Sequence, residues 1–79
     1  MASHKLSPIK WQTLVKIAED LGYKYRKTVG SHMTYVKSGS PRPIVIPKYM
    51  IKGEEIQRSL IRTAGIDRKK FLELKEKFE

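Results

Sequence analysis

The sequence predicts an α+β domain in the order α-β-β-β-α, with a three-stranded antiparallel sheet covered by helices on one face and a short extra C-terminal helix. Three observations carry this. Apolar residues recur every three to four positions near the start of the chain and again over its last third, the period of a helix that buries one face. Between them lie short stretches rich in β-branched and aromatic residues, bounded by Gly, Ser and Pro. Tight turns join these stretches, which makes an antiparallel meander. At 79 residues the chain is a single small domain with a thin core.

Met1 to Leu6 reads as a flexible leader, with His4 a solvated tail residue, and residues 7–79 as the domain. Ser7-Pro8 supplies a hydroxyl N-cap and a proline at the first helical position. Trp11, Leu14, Val15, Ala18 and Leu21 then share one face, Lys10, Lys16, Glu19 and Asp20 lie off it, and Gly22 stops a helix of about residues 8–21.

Tyr23-Lys24-Tyr25-Arg26-Lys27 alternates aromatic and cationic residues, the period of a half-buried strand. Thr28-Val29-Gly30-Ser31 turns the chain, and Gly30 takes a positive φ at little cost. The next strand carries His32, Met33, Thr34 and Tyr35. If Met33 and Tyr35 face the helices, His32 and Thr34 face the open side. Ser38-Gly39-Ser40-Pro41 is a turn, and Ile44-Val45-Ile46 between Pro43 and Pro47 is a third strand suited to a sheet edge.

A second helix runs from Gly53 or Glu54 to Ala64, with Ile56, Leu60, Ile61 and Ala64 on its apolar face and Gly65 as its stop. Asp67 caps a third helix, where Ile66 staples onto Phe71 and Phe71, Leu74 and Phe78 line one face. Both main helices need the same apolar sheet face, so the other is left to solvent. This is the layout of the double-stranded-RNA-binding domain (dsRBD).

Composition narrows the function. There is no cysteine, hence no disulfide, thiolate metal site or thiol nucleophile. No His, Asp or Glu spacing argues for a metal, and no cofactor is expected. No apolar run has the length of a membrane span and the N-terminus lacks the stretch of a signal peptide, so a soluble cytoplasmic protein is the default. Seventeen Lys and Arg stand against eight Asp and Glu, a formal charge of +9. So strong a field favours a polyanionic partner, and its spread along the whole chain counts against a membrane surface.

Gly30-Ser31-His32 entering a strand, Ile46-Pro47 ending the next, Leu21-Gly22-Tyr23 closing the first helix, and Ser59-Leu60-Ile61-Arg62-Thr63-Ala64-Gly65-Ile66 closing the second together resemble the HicA (YcfA-like) toxins, over roughly residues 7 to 72. The resemblance implies a dsRBD-like fold, a ribosome-independent mRNA endonuclease, and a HicB-like antitoxin that binds and silences it. It also implies His32 as the catalytic residue. Many members carry a histidine after the pair matching Ile46-Pro47, where this chain has Lys48-Tyr49.

The chemistry fits such a residue. RNA carries its own nucleophile, the 2′-OH, so cutting it needs a base, an acid and a cation near phosphorus rather than a metal. Histidine takes either proton-transfer role near neutral pH. Lys27, Arg26 or Lys48 supplies the positive charge, and Lys24 and Ser31 are further candidates for RNA contact. A lone histidine in an arbitrary chain is more often a routine surface residue; its place in the whole pattern favours catalysis here. Tyr23, Tyr25 and Tyr35 read as strand core rather than base-stacking platforms, and Trp11 as a helix-face anchor.

Two other functions fit parts of the sequence. A non-catalytic RNA-binding module of the same fold would keep the basic surface without needing His32. A DNA-binding helix-turn-helix at Gly65 would leave the strands unexplained and make the last helix too apolar on one face.

Overall fold

The computed structural model describes residues 6–79. Its order is α1 (Trp11–Asp20), β1 (Lys24–Val29), β2 (His32–Val36), β3 (Ile44–Pro47), α2 (Glu55–Ala64) and α3 (Arg68–Phe78). The strands pair antiparallel as β1-β2-β3, which puts β3 at an edge and reproduces the expected fold class. His4 and the leader up to residue 5 lie outside the described residues.

A single core forms where the helices meet one face of the sheet. Met33, Tyr35, Ile44 and Ile46 from the strands pack with Leu14, Ile17, Ala18, Leu60, Phe71 and Leu74 from the helices. Full burial of an aliphatic side chain of this kind contributes about 1.5–3 kcal/mol. The parity expected in β2 is observed: Met33 and Tyr35 are buried, His32 is exposed and Thr34 is half-buried.

The start of α1 differs from the expectation. The helix begins at Trp11 with Lys10 at its N-cap, so neither Ser7 nor Pro8 opens it. Ile9 is held extended instead, exchanging two backbone hydrogen bonds with Ile51 at 2.9 and 3.0 Å. Leu6, the last residue of the expected leader, is buried in the core, and its N–H donates to Glu54 Oε1 at 3.3 Å. The apolar residues of this segment therefore outweigh its local helix-start signal. The end of α1 is as expected: Gly22, at φ +95°, allows Tyr23 N–H to reach Ala18 O at 3.0 Å, which turns Tyr23 into the core.

β1 corrects a second expectation. It is not half-buried, since all six of its residues are exposed. Tyr23 is buried just before it, whereas Tyr25 is 54% exposed and meets the buried Tyr35 only edge to face, with ring centroids 5.7 Å apart. A bulge between Tyr25 and Lys27 also breaks the simple alternation of sides. Thr28 and Val29 belong to the strand, so the turn shortens to Gly30-Ser31.

Candidate functional site

The β1–β2 hairpin sets the geometry around His32. Val29 pairs with His32 across a two-residue loop. Gly30 has φ +61° and Ser31 does not share the positive sign, the requirement of a type II′ hairpin turn. His32 is thus the first residue of β2, flanked by Val29 on one side and by Pro47 of β3 on the other. Lys48 N–H donates to Ser31 O at 2.7 Å, which continues the β2–β3 ladder one step past His32.

Cross-strand partners project to the same side, so the register sorts the remaining candidates. Lys27 pairs with Thr34 and Lys24 with Val36, which places both on the open face with His32. Lys27 is two residues along from His32, but Lys24 is four, about 13 Å down the strand at ~3.3 Å per residue. Arg26 falls at the bulge between the paired residues Tyr25 and Lys27. Ser31 is exposed at the hairpin tip. Lys48 is tied to the tip through its backbone, while its ammonium lies 5.8 Å from the centre of the Trp11 ring. The fold therefore gathers Ser31 and Lys27 around the end of the sheet that holds His32, turns the Lys48 ammonium toward Trp11 of α1, and leaves Lys24 at the other end.

The opposite face carries one perturbed group. Burial holds the Tyr35 hydroxyl above its ordinary value of 10.0, reinforced by the carboxylate of Glu19 and by Tyr25. Tyr35 is thereby kept neutral as part of the core, away from the open face.

Two buried polar residues escape the sequence reading. Gln57 is fully buried and its Nε2 donates to Ser7 O at 2.9 Å. Lys75 is 6% exposed and its ammonium donates to Ser7 O at 3.0 Å and Ser7 Oγ at 2.8 Å. Both occupy stripe positions: Gln57 precedes Leu60, Ile61 and Ala64 at three, four and seven residues, and Lys75 follows Phe71 at four. A polar residue on an apolar stripe was the available signal. They bind Ser7, so this cluster joins the N-terminal segment to α2 and α3.

Among the described residues no three His, Asp or Glu side chains gather in one place, and no helix is long and apolar enough to cross a membrane. A family model described as HicA toxin of bacterial toxin–antitoxin matches residues 11–66, from the first residue of α1 to just past Gly65. No match is found among curated proteins or solved structures.

Proposed function

Because the chain belongs to the HicA toxin family of bacterial toxin–antitoxin systems, we propose that it is an mRNA endonuclease in which His32 transfers the proton. The observation that carries this reading is the placement of His32: exposed on the helix-free face, at the start of a strand whose backbone is paired on both sides. A side chain so placed reaches a large substrate while its backbone stays fixed, as a proton-transfer group requires.

In the proposed reaction the 2′-oxygen of RNA attacks the adjacent phosphorus and the bond to the 5′-oxygen breaks. The 2′-OH gives up a proton and the departing 5′-oxygen takes one, so His32 serves as base or acid with water completing the balance. The products are a 2′,3′-cyclic phosphate and a 5′-hydroxyl. A positioned proton-transfer group contributes about 10²–10⁴-fold. Lys27, on the same face, supports the charge that builds on phosphorus. Ser31, Arg26 and Lys48 supply contacts to the sugar-phosphate chain near the hairpin, and Lys24 extends the basic track along the sheet.

An mRNA substrate places the protein in the cytoplasm with a HicB-like antitoxin as partner. The +9 charge favours an acidic antitoxin captured at high rate, and covering the His32 face is the most direct way to silence the site. The test is inducible expression of wild type and His32→Ala, scored by growth and by total RNA. Growth arrest with RNA cleavage in the wild type alone supports the reading. A folded His32→Ala protein that still cleaves RNA removes His32 from the mechanism.

A further inference from the structure

Arginine is unevenly placed in this molecule. The chain has five, and three of them, Arg58, Arg62 and Arg68, line one open pocket on the outer side of α2 and α3 with Ile61 between them. Arg58 and Arg62 stand one turn apart on α2. Arg68 opens α3 beyond the turn at Gly65. The lysines, in contrast, are spread over α1, β1, α3 and the connecting segments, and α2 has none.

This arrangement is only partly compensated. Like charges at i and i+4 on a helix repel. The one salt bridge to the group among the described residues is from Glu54 to Arg58 Nε at 3.8 Å, with the Arg58 side chain 58% exposed, while Arg68 also borders a neighbouring hollow that holds Glu73 and Glu76. Arg68 is half-buried, and its Nη2 is buried with no hydrogen-bond acceptor among the described residues. A guanidinium donor withdrawn from water and left unmatched is relieved by an incoming oxyanion.

We propose that Arg58, Arg62 and Arg68 form a binding site for a backbone phosphate of RNA, a second hold on the substrate apart from His32; this rests on the ribonuclease reading. Guanidinium forks match phosphate oxygens two at a time. A carboxylate on a protein partner has similar geometry, but protein interfaces surround such pairs with an apolar core. Ile61 is the one apolar residue in the lining. Three arginines around a single isoleucine suit the tracking of a polyanion. The site makes no contact with the chemistry at His32, so it acts on substrate affinity.

The experiment measures binding of a fluorescent single-stranded 2′-O-methyl RNA, which lacks the attacking hydroxyl, across a salt series. The full-length wild type is compared with an Arg58→Gln/Arg62→Gln/Arg68→Gln variant and with a Lys10→Gln/Lys16→Gln/Lys70→Gln variant of equal charge. Each phosphate-neutralising cation contributes about 0.7 to the log–log salt slope on a single strand. The arginine variant is expected to bind at least tenfold more weakly at low salt, with a slope shallower by about 2. The lysine variant is expected to change much less. An Arg58→Gln/Arg62→Gln variant, at two exposed positions, shows a proportionate part of the effect and stands in if replacing Arg68 unfolds the protein. Equal losses in the two triple variants overturn the proposal, because net charge alone then explains the binding. Unchanged RNA binding by the arginine variant also overturns it while leaving the ribonuclease reading intact. Loss of polyglutamate binding in place of RNA binding reassigns the pocket to carboxylates. A wild type that binds no RNA at any salt concentration overturns this proposal and the ribonuclease reading together.

Discussion

The amide of Lys48 and the carbonyl of Ser31 are joined at 2.7 Å, one step beyond the pair formed by His32 and Pro47. The residue before His32 is therefore fixed to the residue after Pro47, so the end of the strand cannot fray where the imidazole projects. Position and exposure are usually in conflict at a strand terminus; here a single backbone hydrogen bond reconciles them.

His32→Ala is expected to abolish RNA cleavage and growth inhibition while changing stability by less than about 0.5 kcal/mol, because the side chain is exposed and its removal opens no cavity. Urea denaturation paired with an RNA cleavage assay checks both halves. An unfolded variant would show that the side chain carries structure.

Met33→Ala, one residue along and 5% exposed, is expected to cost about 2–5 kcal/mol. Its loss of toxicity should track loss of folded protein and recover at lower temperature. Full stability with no activity would assign Met33 a part in the site.

Cleavage should continue in EDTA and spare single-stranded DNA, since the nucleophile in the proposed mechanism is the 2′-OH of the substrate. Product analysis should find cyclic or 3′-phosphate ends. Activity that vanishes on chelation and returns with added divalent cation would contradict the mechanism.

Ser7→Ala removes an acceptor from a nearly buried ammonium but leaves the carbonyl that also accepts from Lys75. The expected cost is about 1 kcal/mol, read as a lower denaturation midpoint at unchanged slope. No change would mean that the carbonyl and solvent suffice for Lys75.

Alkaline stability should depend on Tyr35. Its hydroxyl is held above 10.0 in the folded state, chiefly by burial and then by Glu19 and Tyr25. Below pH 10 both states keep the proton and the stabilisation is complete. Above it the unfolded chain releases the proton first, so stability falls as pH rises toward the folded value. Tyr35→Phe should flatten this part of the profile, measured as midpoint against pH from 9 to 11. Parallel profiles for the two proteins would remove Tyr35 as the cause.

The faces of β2, the stops at Gly22 and Gly65 and the Asp67 cap, whose carboxylate accepts from Lys70 N–H at 2.7 Å, were legible because each is decided by residues close in sequence. The start of α1 was not. Ser7-Pro8 is a sound local helix signal, but Ile9 is taken by Ile51 and Ser7 by Gln57 and Lys75, partners 42 to 68 residues away. The exposure of Tyr25 was hidden for a related reason: alternation shows that a strand has two faces, not whether a helix lies over either. The exposure of His32 was legible through the parity of its strand. The pocket of Arg58, Arg62 and Arg68 was not, because the turn between two helices is what brings the third arginine to the other two.

The tie between Ser7 and Lys75 also bears on when the molecule becomes whole during its synthesis. It closes a loop of 68 residues, nearly the full chain. Contacts so distant in sequence carry a large entropy of closure, and they form after the local hairpin and helices. On the ribosome Lys75 emerges after Ile51, Glu54 and Gln57, so the N-terminal segment from Leu6 to Ile9 gains the last of its ties only once α3 is made. The nascent chain holds its sheet strands early and seals its core only when Phe71 and Leu74 of α3 join it. Truncation within α3 should therefore be felt at the opposite terminus, where it leaves Ser7 without its ammonium and Leu6 with a less securely covered seat.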